Sequence, residues 1–321
     1  MTLSWSKIEG VADDTPIVVV FPGLNSCAYS AYIVSIVRGI NQCKYSCVVL
    51  NNRGTCRRKL KTPRSYCASI TSDVDFVLGH IRSRYPGAPM VAVGISLGAV
   101  ILFNYLADEP QDHKNAWPLT AAMCICMPWD MVQSSDKLEK SLDWLLFNKP
   151  LTHGLRRIVM RNADVLSKEY DVPRILKSRS IREFDENLTA SMFGYKSAED
   201  YYTCASPVMK IDRVRIPILC LNAADDPFVP FHTLPLKGVS GAGSRVVLAV
   251  TRYGGHIGYL PGLLPTRPSL IDRAVPQFVS AVFQHPEDFA VAAAADGLVD
   301  TRVRLEGDES KPAEEIAATV N

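Results

Sequence analysis

Residues 90 to 107, reading MVAVGISLGAVILFNYLA, carry no charge at all. A stretch of this length is about the minimum that spans a bilayer. Yet Gly94, Ser96 and Gly98 interrupt its centre. A buried strand, a sharp turn and a buried helix account for it better than one continuous span. A strand that is apolar on both faces must lie inside a sheet covered on both sides, which narrows the fold to layered architectures.

The rest of the chain repeats the pattern. Short β-branched runs, Ile17 to Phe21, Cys47 to Leu50, Met90 to Val93, Ala121 to Cys126, Ile216 to Leu221 and Arg245 to Val250, alternate with segments of helical period. Tyr29 to Arg38 is one such segment. The helix starting at Ser72 puts Val74, Val77, Leu78, Ile81 and Tyr85 on one face and stops at Pro86-Gly87. A last helix near Ile271 to Phe283 turns Ile271, Val275, Phe278, Val279 and Val282 inward. Buried strands separated by helices predict a mainly parallel sheet with helices on both faces. Right-handed crossovers gather the strand C-terminal ends on one edge, where such sheets place their sites.

The alternation pauses at about 129–215, a helical, charged stretch rich in aromatics (Trp129, Trp144, Phe147, Phe193, Tyr195, Tyr201, Tyr202). An insertion of this size reads as a cap over the sheet edge. Its aromatics either line an acyl channel or pack the cap onto the sheet. One domain is therefore expected over 1–285, followed at 286–321 by an Ala-, Asp- and Glu-rich tail with the composition of a disordered segment. The turn-like run Gly238 to Ser244 reads as a loop.

Composition excludes several function classes. Of 321 residues, 47% are hydrophobic and 21% charged, ordinary for a globular protein. The formal net charge of +2 gives no bulk case for nucleic-acid binding. The small basic cluster Arg57, Arg58, Lys59 and Lys61 reads as a solvated loop. Nine cysteines show no C-x-x-C spacing, and Cys47, Cys124, Cys126 and Cys220 sit in apolar runs as small core residues. Met1 to Gly10 has no signal-peptide centre. Reduced thiols and a cytosol-facing location, cytoplasmic or on a membrane, are expected. With no H-E-x-x-H, Walker A or EF-hand loop, neither a metal nor a cofactor is expected.

The chemistry starts from Gly94-Ile95-Ser96-Leu97-Gly98, a G-x-S-x-G between strand and helix. Such a serine sits on a strained turn with its Oγ out of the sheet, and a side chain at either glycine would collide with the neighbouring strand or helix. A serine hydroxyl is a weak nucleophile and needs a base, itself oriented by an acid. Of six histidines, His80 lies in a helix, His113 and His153 in polar loops, His285 after the last helix and His232 in the loop after the fifth strand. His256, in Tyr253-Gly254-Gly255-His256-Ile257-Gly258 just beyond the sixth strand, is the expected base, because its glycines let a loop bring an imidazole to the sheet edge. The acid is expected right after the fifth strand, at Asp225 or Asp226. Asp226, directly before Pro227, is preferred, and the other carboxylate is left solvated or capping the following turn. An oxyanion hole needs two N–H donors. Leu97 at the helix start and Leu24, in Pro22-Gly23-Leu24 after the first strand, are the candidates. The order Ser, Asp, His is that of an α/β-hydrolase sheet.

At this point the chain resembles the α/β-hydrolase-domain lipases and phospholipases of animals, with plant and bacterial esterase relatives. The resemblance covers about residues 3 to 285. It rests on Leu3-Ser4-Trp5, the Pro-Gly-Leu loop, Leu50-Asn51-Asn52-Arg53-Gly54, Thr62-Pro63-Arg64-Ser65-Tyr66, the serine elbow, Ala205-Ser206-Pro207, Leu221 to Pro227 and Gly254 to Gly258. It implies an α/β-hydrolase fold and a hydrolase of lipid esters, phospholipids or acylglycerols, with Ser96, Asp226 and His256 as triad and Leu24 and Leu97 as oxyanion hole. Peripheral contact with a membrane surface is a separate expectation for a lipid-ester substrate. Members commonly carry a membrane anchor and a further strand before the Leu-x-Trp segment, and this chain starts almost at that segment. The position usually held by His before the oxyanion glycine is Pro22. Some members show a His-x4-Asp acyltransferase pattern, which none of the six histidines here completes. Acyl transfer to an alcohol at the same site, and a non-catalytic lipid-binding module, are the competing readings.

Overall fold

Strand Ile17–Phe21 is buried at every position, and its side chains divide between two cores. Ile17, Val19 and Phe21 face one, with Val48, Ala92 and Cys124, while Val18 and Val20 face the other, with Val49, Val91 and Met123. A strand apolar on both faces has no solvated side, so the sheet is clad by helices above and below.

The computed structural model describes residues 1–8, 14–108, 118–239, 244–262 and 267–294. Its seven strands are β1 (Thr2–Ser6), β2 (Ile17–Phe21), β3 (Ser46–Asn51), β4 (Met90–Ile95), β5 (Ala121–Ile125), β6 (Ile218–Ala223) and β7 (Val246–Thr251). They lie in the order β1-β3-β2-β4-β5-β6-β7. Only β1 is antiparallel, zipped to β3 from Thr2↔Asn51 to Ser6↔Cys47. The others are parallel, as the alternating pattern predicts. The strand order reverses between β2 and β4, and at that switch point a parallel sheet opens a crevice beyond its carboxyl ends.

Helices α1 (Ala31–Gln42), α2 (Ser72–Arg84) and α3 (Leu97–Ala107) follow β2, β3 and β4. Between β5 and β6 the chain runs through α4 (Met131–Leu138), α5 (Lys149–Arg161) and α6 (Ala198–Ala205), with π-helical turns at Trp144–Asn148 and Asp185–Thr189. This segment has a core of its own: Leu155, Val159, Leu166, Val172, Ile175, Phe184 and Leu188, joined by Leu60. Helix α7 (Leu270–Gln284) begins at a capping box of Ser269 and Asp272. The tail expected from 286 begins with helix α8 (Pro286–Ala294), and its residues 295–321 lie outside the described residues. So do His113 and residues 240–243 of the expected Gly238 to Ser244 loop. Among the described residues no helix is long and apolar enough to cross a membrane.

Most family-resemblance motifs prove to be fasteners. Asn51 accepts the Ala28 N–H at 2.9 Å and donates to Ser4 Oγ at 2.9 Å, tying β1 and the loop after β2 to β3. Arg53 grips Asp73 with two bonds of 2.6 Å. Asn104, fully buried in α3, donates to the carbonyls of Ala68 and Ala205, both at 2.9 Å. Ser206 Oγ accepts the Met131 N–H at 2.9 Å, so the ends of the helical segment are clamped together beside α3. Each bond satisfies a polar group that burial would otherwise penalise.

Candidate active site

Parallel register brings the site together. Phe21 pairs with Gly94, so two residues further on Gly23 lies beside Ser96. A Cβ on Gly23 would stand 3.3 Å from that of Ser96. Ser96 is left-handed, at φ 55° and ψ −121°, a strained conformation for a residue with a side chain. Surrounding contacts hold it there. Its N–H donates to the Ile125 carbonyl at 2.8 Å, and its own carbonyl accepts the Ala99 N–H at 2.9 Å. The flanking glycines are obligatory: a Cβ on Gly94 would lie 2.6 Å from Ala99 Cα, and one on Gly98 2.1 Å from the Phe21 carbonyl oxygen.

His256 arrives on the loop after β7. Gly255 (φ 56°) and Ile257 (φ 69°) bend that loop through the left-handed region. The loop is pinned from three sides. The Ile257 N–H points to Cys126 Sγ at 3.2 Å, the Tyr259 N–H donates to the Gly254 carbonyl at 2.8 Å, and the Gly255 N–H donates to Asp225 Oδ1 at 2.7 Å. Asp225 is exposed, as expected of the second carboxylate; it does not cap the following turn, and its one oxygen anchors the histidine loop. Asp226 does the capping, accepting the Phe228 N–H on Oδ1 at 2.8 Å.

His256 Nε2 is 2.9 Å from Ser96 Oγ, and Nδ1 is 2.9 Å and 3.0 Å from the two oxygens of Asp226. The Asp226 carboxylate is fully shielded, and the imidazole is 11% exposed. Phe228 stacks on the ring with centroids 3.9 Å apart and planes 17° apart. In the tautomer that donates from Nδ1 to the carboxylate, Nε2 is left to accept from the serine hydroxyl. Leu97 opens α3, whose N-terminus directs its free N–H groups to one spot. Neither the Leu24 nor the Leu97 N–H meets an acceptor among the described residues. The other described histidines stand apart. His232 bonds Gln133, His80 and His285 are exposed, and His153 lies in α5 rather than in a loop.

A cavity of about 260 Å³ opens between this edge and the helical segment. Ser96, His256, Leu24 and Leu97 line it together with Leu60, Leu155, Ile158, Val159, Leu166 and Leu188. The aromatics divide between the two roles expected of them. Phe193, Tyr201 and Tyr202 line the cavity, while Trp129 is fully buried and packs edge-on against Phe103. One acid stands in this apolar wall. Asp185 is pushed up to about 6 by burial, although it accepts bonds from Thr189 at 2.5 Å and Tyr202 at 2.7 Å. Nothing in the residue pattern singles it out, since its neighbours read as a charged helix face.

Cys126, Asp226 and His256 bring three potential metal-ligand atoms within 4.8 Å of one another. Both ring nitrogens already have partners, and burial pushes the Cys126 thiol up to about 12. The set suits proton transfer better than cation binding.

The family described as serine aminopeptidase S33 matches residues 13–234. The chain is 40% identical to mouse (Mus musculus) phospholipase ABHD3 over 279 residues, 87% of this chain and 67% of that one. It is 32% identical to the monoacylglycerol lipase of Saccharomyces cerevisiae over 255 residues, 77% of this chain and 55% of that one. Among solved structures it resembles Est1E of Butyrivibrio proteoclasticus, with a TM-score of 0.53 at 11% identity, covering 88% of this chain and 95% of the other. That structural likeness shows the α/β-hydrolase fold.

Proposed function

The chain belongs to the serine aminopeptidase S33 family and is a serine hydrolase of the lipase and phospholipase kind; from that premise we propose that it hydrolyses lipid carboxylic esters, phospholipid or acylglycerol, through an acyl-enzyme on Ser96. The observation that carries the reading is the unbroken line from Asp226 through His256 to Ser96 Oγ, at 2.9 Å each step, at one end of an apolar cavity.

Ser96 Oγ attacks the ester carbonyl while His256 Nε2 takes its proton. Asp226 holds the ring in its Nδ1–H tautomer and stabilises the imidazolium. The Leu24 and Leu97 N–H groups receive the charge that gathers on the carbonyl oxygen. His256 then protonates the leaving alcohol, and a water activated by the same nitrogen releases the fatty acid. Residues 129–215 act as the cap, and the leucines between cap and sheet take up the acyl chain. Peripheral contact with a lipid surface is part of the proposal. Leu142, Leu145 and Leu146 of the cap are 66%, 51% and 54% exposed, and Lys140 and Lys149 beside them are exposed too.

A fluorophosphonate probe tests the nucleophile. Wild type should be labelled and should release free acid from a lipid ester, and Ser96→Ala should do neither. Equal labelling of the two proteins would remove Ser96 from the mechanism. Accumulation of a transferred ester in place of free acid would make the enzyme an acyltransferase.

A further inference from the structure

The Thr62-Pro63-Arg64-Ser65-Tyr66 motif carries a tyrosine whose O–H meets no acceptor among the described residues. The Tyr66 hydroxyl is buried beside the Asn25 N–H, and among the described residues it makes no well-formed hydrogen bond and finds no acceptor for its proton. Its ring lines the same cavity as Ser96, Leu24 and His256. Other phenols of that wall are engaged: Tyr32 accepts the Gly23 N–H at 3.0 Å, Tyr201 the Ala68 N–H at 2.9 Å, and Tyr202 donates to Asp185. A buried hydroxyl without an acceptor is costly, and phenylalanine would fill the same space without that cost.

The surroundings place this hydroxyl beside the loop after β2, which carries Leu24 and Asn25. Burial pushes the phenol up to about 12, against the pull of the Asn25 N–H, while the Tyr32 hydroxyl and the Asp185 carboxylate push it up further. Asn25 follows Leu24 on the oxyanion loop, and a Cβ on Gly23 would stand 3.3 Å from both Tyr32 Oη and Ser96 Cβ. The phenol therefore keeps its proton at neutral pH and can act only as a neutral donor or an acceptor. The backbone that carries it is held on both sides. Ser65 N–H points to Met192 Sδ at 3.1 Å, and Ala68 is bonded through its N–H to Tyr201 and through its carbonyl to Asn104. Ser134 Oγ, also unpartnered in the wall, belongs to α4, away from the loops that hold the nucleophile.

We infer that Tyr66 is a further catalytic residue, a side-chain O–H donor that joins the Leu24 and Leu97 N–H groups in receiving the developing oxyanion of a bound ester. The inference rests on the serine-hydrolase reading of Ser96 and deepens it. A fixed donor aimed at developing charge acts in the transition state more than in the ground state, so its removal lowers kcat rather than raising KM.

The experiment compares wild type, Tyr66→Phe and Ser96→Ala on a soluble p-nitrophenyl ester, with melting curves and the affinity of an alkyl boronic acid, a mimic of the tetrahedral intermediate. Tyr66→Phe should lower kcat by about 10- to 100-fold at nearly constant KM. It should weaken boronate binding in parallel and leave the melting temperature equal or higher. An unchanged kcat in Tyr66→Phe beside an inactive Ser96→Ala overturns the assignment of Tyr66 and leaves the nucleophile standing. A loss of kcat matched by a fall in melting temperature, with boronate affinity intact, reduces Tyr66 to a structural role and overturns the assignment as well. Full activity in Ser96→Ala overturns both readings.

Discussion

Asp185 is a carboxylate that folding makes hard to ionise. Its pKa moves from the ordinary 3.8 up to about 6 because the cavity wall withholds water from it, and the Thr189 and Tyr202 hydroxyls only partly compensate. Between those two values the native state holds a proton that the unfolded chain releases. Stability contributed by this group is therefore complete below about pH 4 and is lost as pH rises through about 6. The full difference is on the order of 3 kcal/mol. Asp185→Asn keeps an acceptor for Thr189 and removes the ionisation. Thermal unfolding from pH 4.5 to 7.5 should show the variant gaining on wild type as pH rises, whereas parallel curves would deny that Asp185 titrates in this window. At this scale legibility follows chemistry that leaves a mark on neighbouring residues. Ser96 is bracketed by glycines, His256 by glycines, and Asp226 precedes a proline, so local spacing exposes all three. Asp185 and Tyr66 gain their meaning from burial against residues far away in the chain, and no neighbour announces it. The anchoring contact of the exposed Asp225 is hidden as well, because its partner Gly255 is 30 residues on.

Strand β4, the elbow and helix α3 work as one element, since the turn exists only while its two flanks can approach to backbone contact. Gly98 is where that approach is closest. The Cβ of an alanine there would lie 2.1 Å from the Phe21 carbonyl oxygen and 2.6 Å from that of Pro22, both backbone atoms of β2 and its exit. No side-chain rotation relieves such an overlap, so β2 and α3 must part. Gly98→Ala should destabilise the fold by about 3 kcal/mol or more. Urea unfolding should show it, together with loss of fluorophosphonate labelling, and a variant of wild-type stability and reactivity would refute the packing argument. The central strands are legible because they are apolar throughout, and α2 and α7 because their buried faces recur at helical spacing. β1 is not, because it is a half-exposed edge strand whose five residues include only two large apolar ones, Leu3 and Trp5. Helix α5 is misread around His153 because Pro150 and Gly154 look like loop punctuation. Proline is at ease in a first helical turn, and Gly154 leaves room for Asn25, whose Nδ2 would sit 2.4 Å from a Cβ there. Asn25 Nδ2 in turn donates to the Leu151 carbonyl at 2.8 Å, bolting the loop after β2 to helix α5.

Across the whole molecule, the cavity belongs to neither the sheet nor the helical segment alone. Its lining runs from Gly23 to Ile257 in sequence, so the insertion can be read from its size while the chamber beneath it cannot. The same separation governs how a lipid would reach Ser96. Phe147, on the π-helical turn Trp144–Asn148, packs on Phe228 with ring centroids 5.2 Å apart, and Phe228 stacks on His256. The exposed Leu145 and Leu146 are the neighbours of Phe147 on that turn, and Leu142 lies one turn earlier. Trp144, whose indole N–H donates to the Arg179 carbonyl at 3.1 Å, adds an amphipathic ring with Lys149 over its face. Apolar side chains with lysines at their margin suit an anionic lipid–water interface, and entry of a leucine into such an interface is worth roughly 1.5–3 kcal/mol. Replacing Leu142, Leu145 and Leu146 together by serine should then cost tenfold or more in hydrolysis of long-chain ester presented in anionic vesicles, and should reduce cosedimentation with them. These side chains are exposed, so the melting temperature should stay near that of wild type and turnover of a soluble short-chain ester within about twofold of it. A parallel loss on both substrates would mean that the leucines support the site through Phe147 and Phe228, and unchanged vesicle activity would mean that lipid enters by another face.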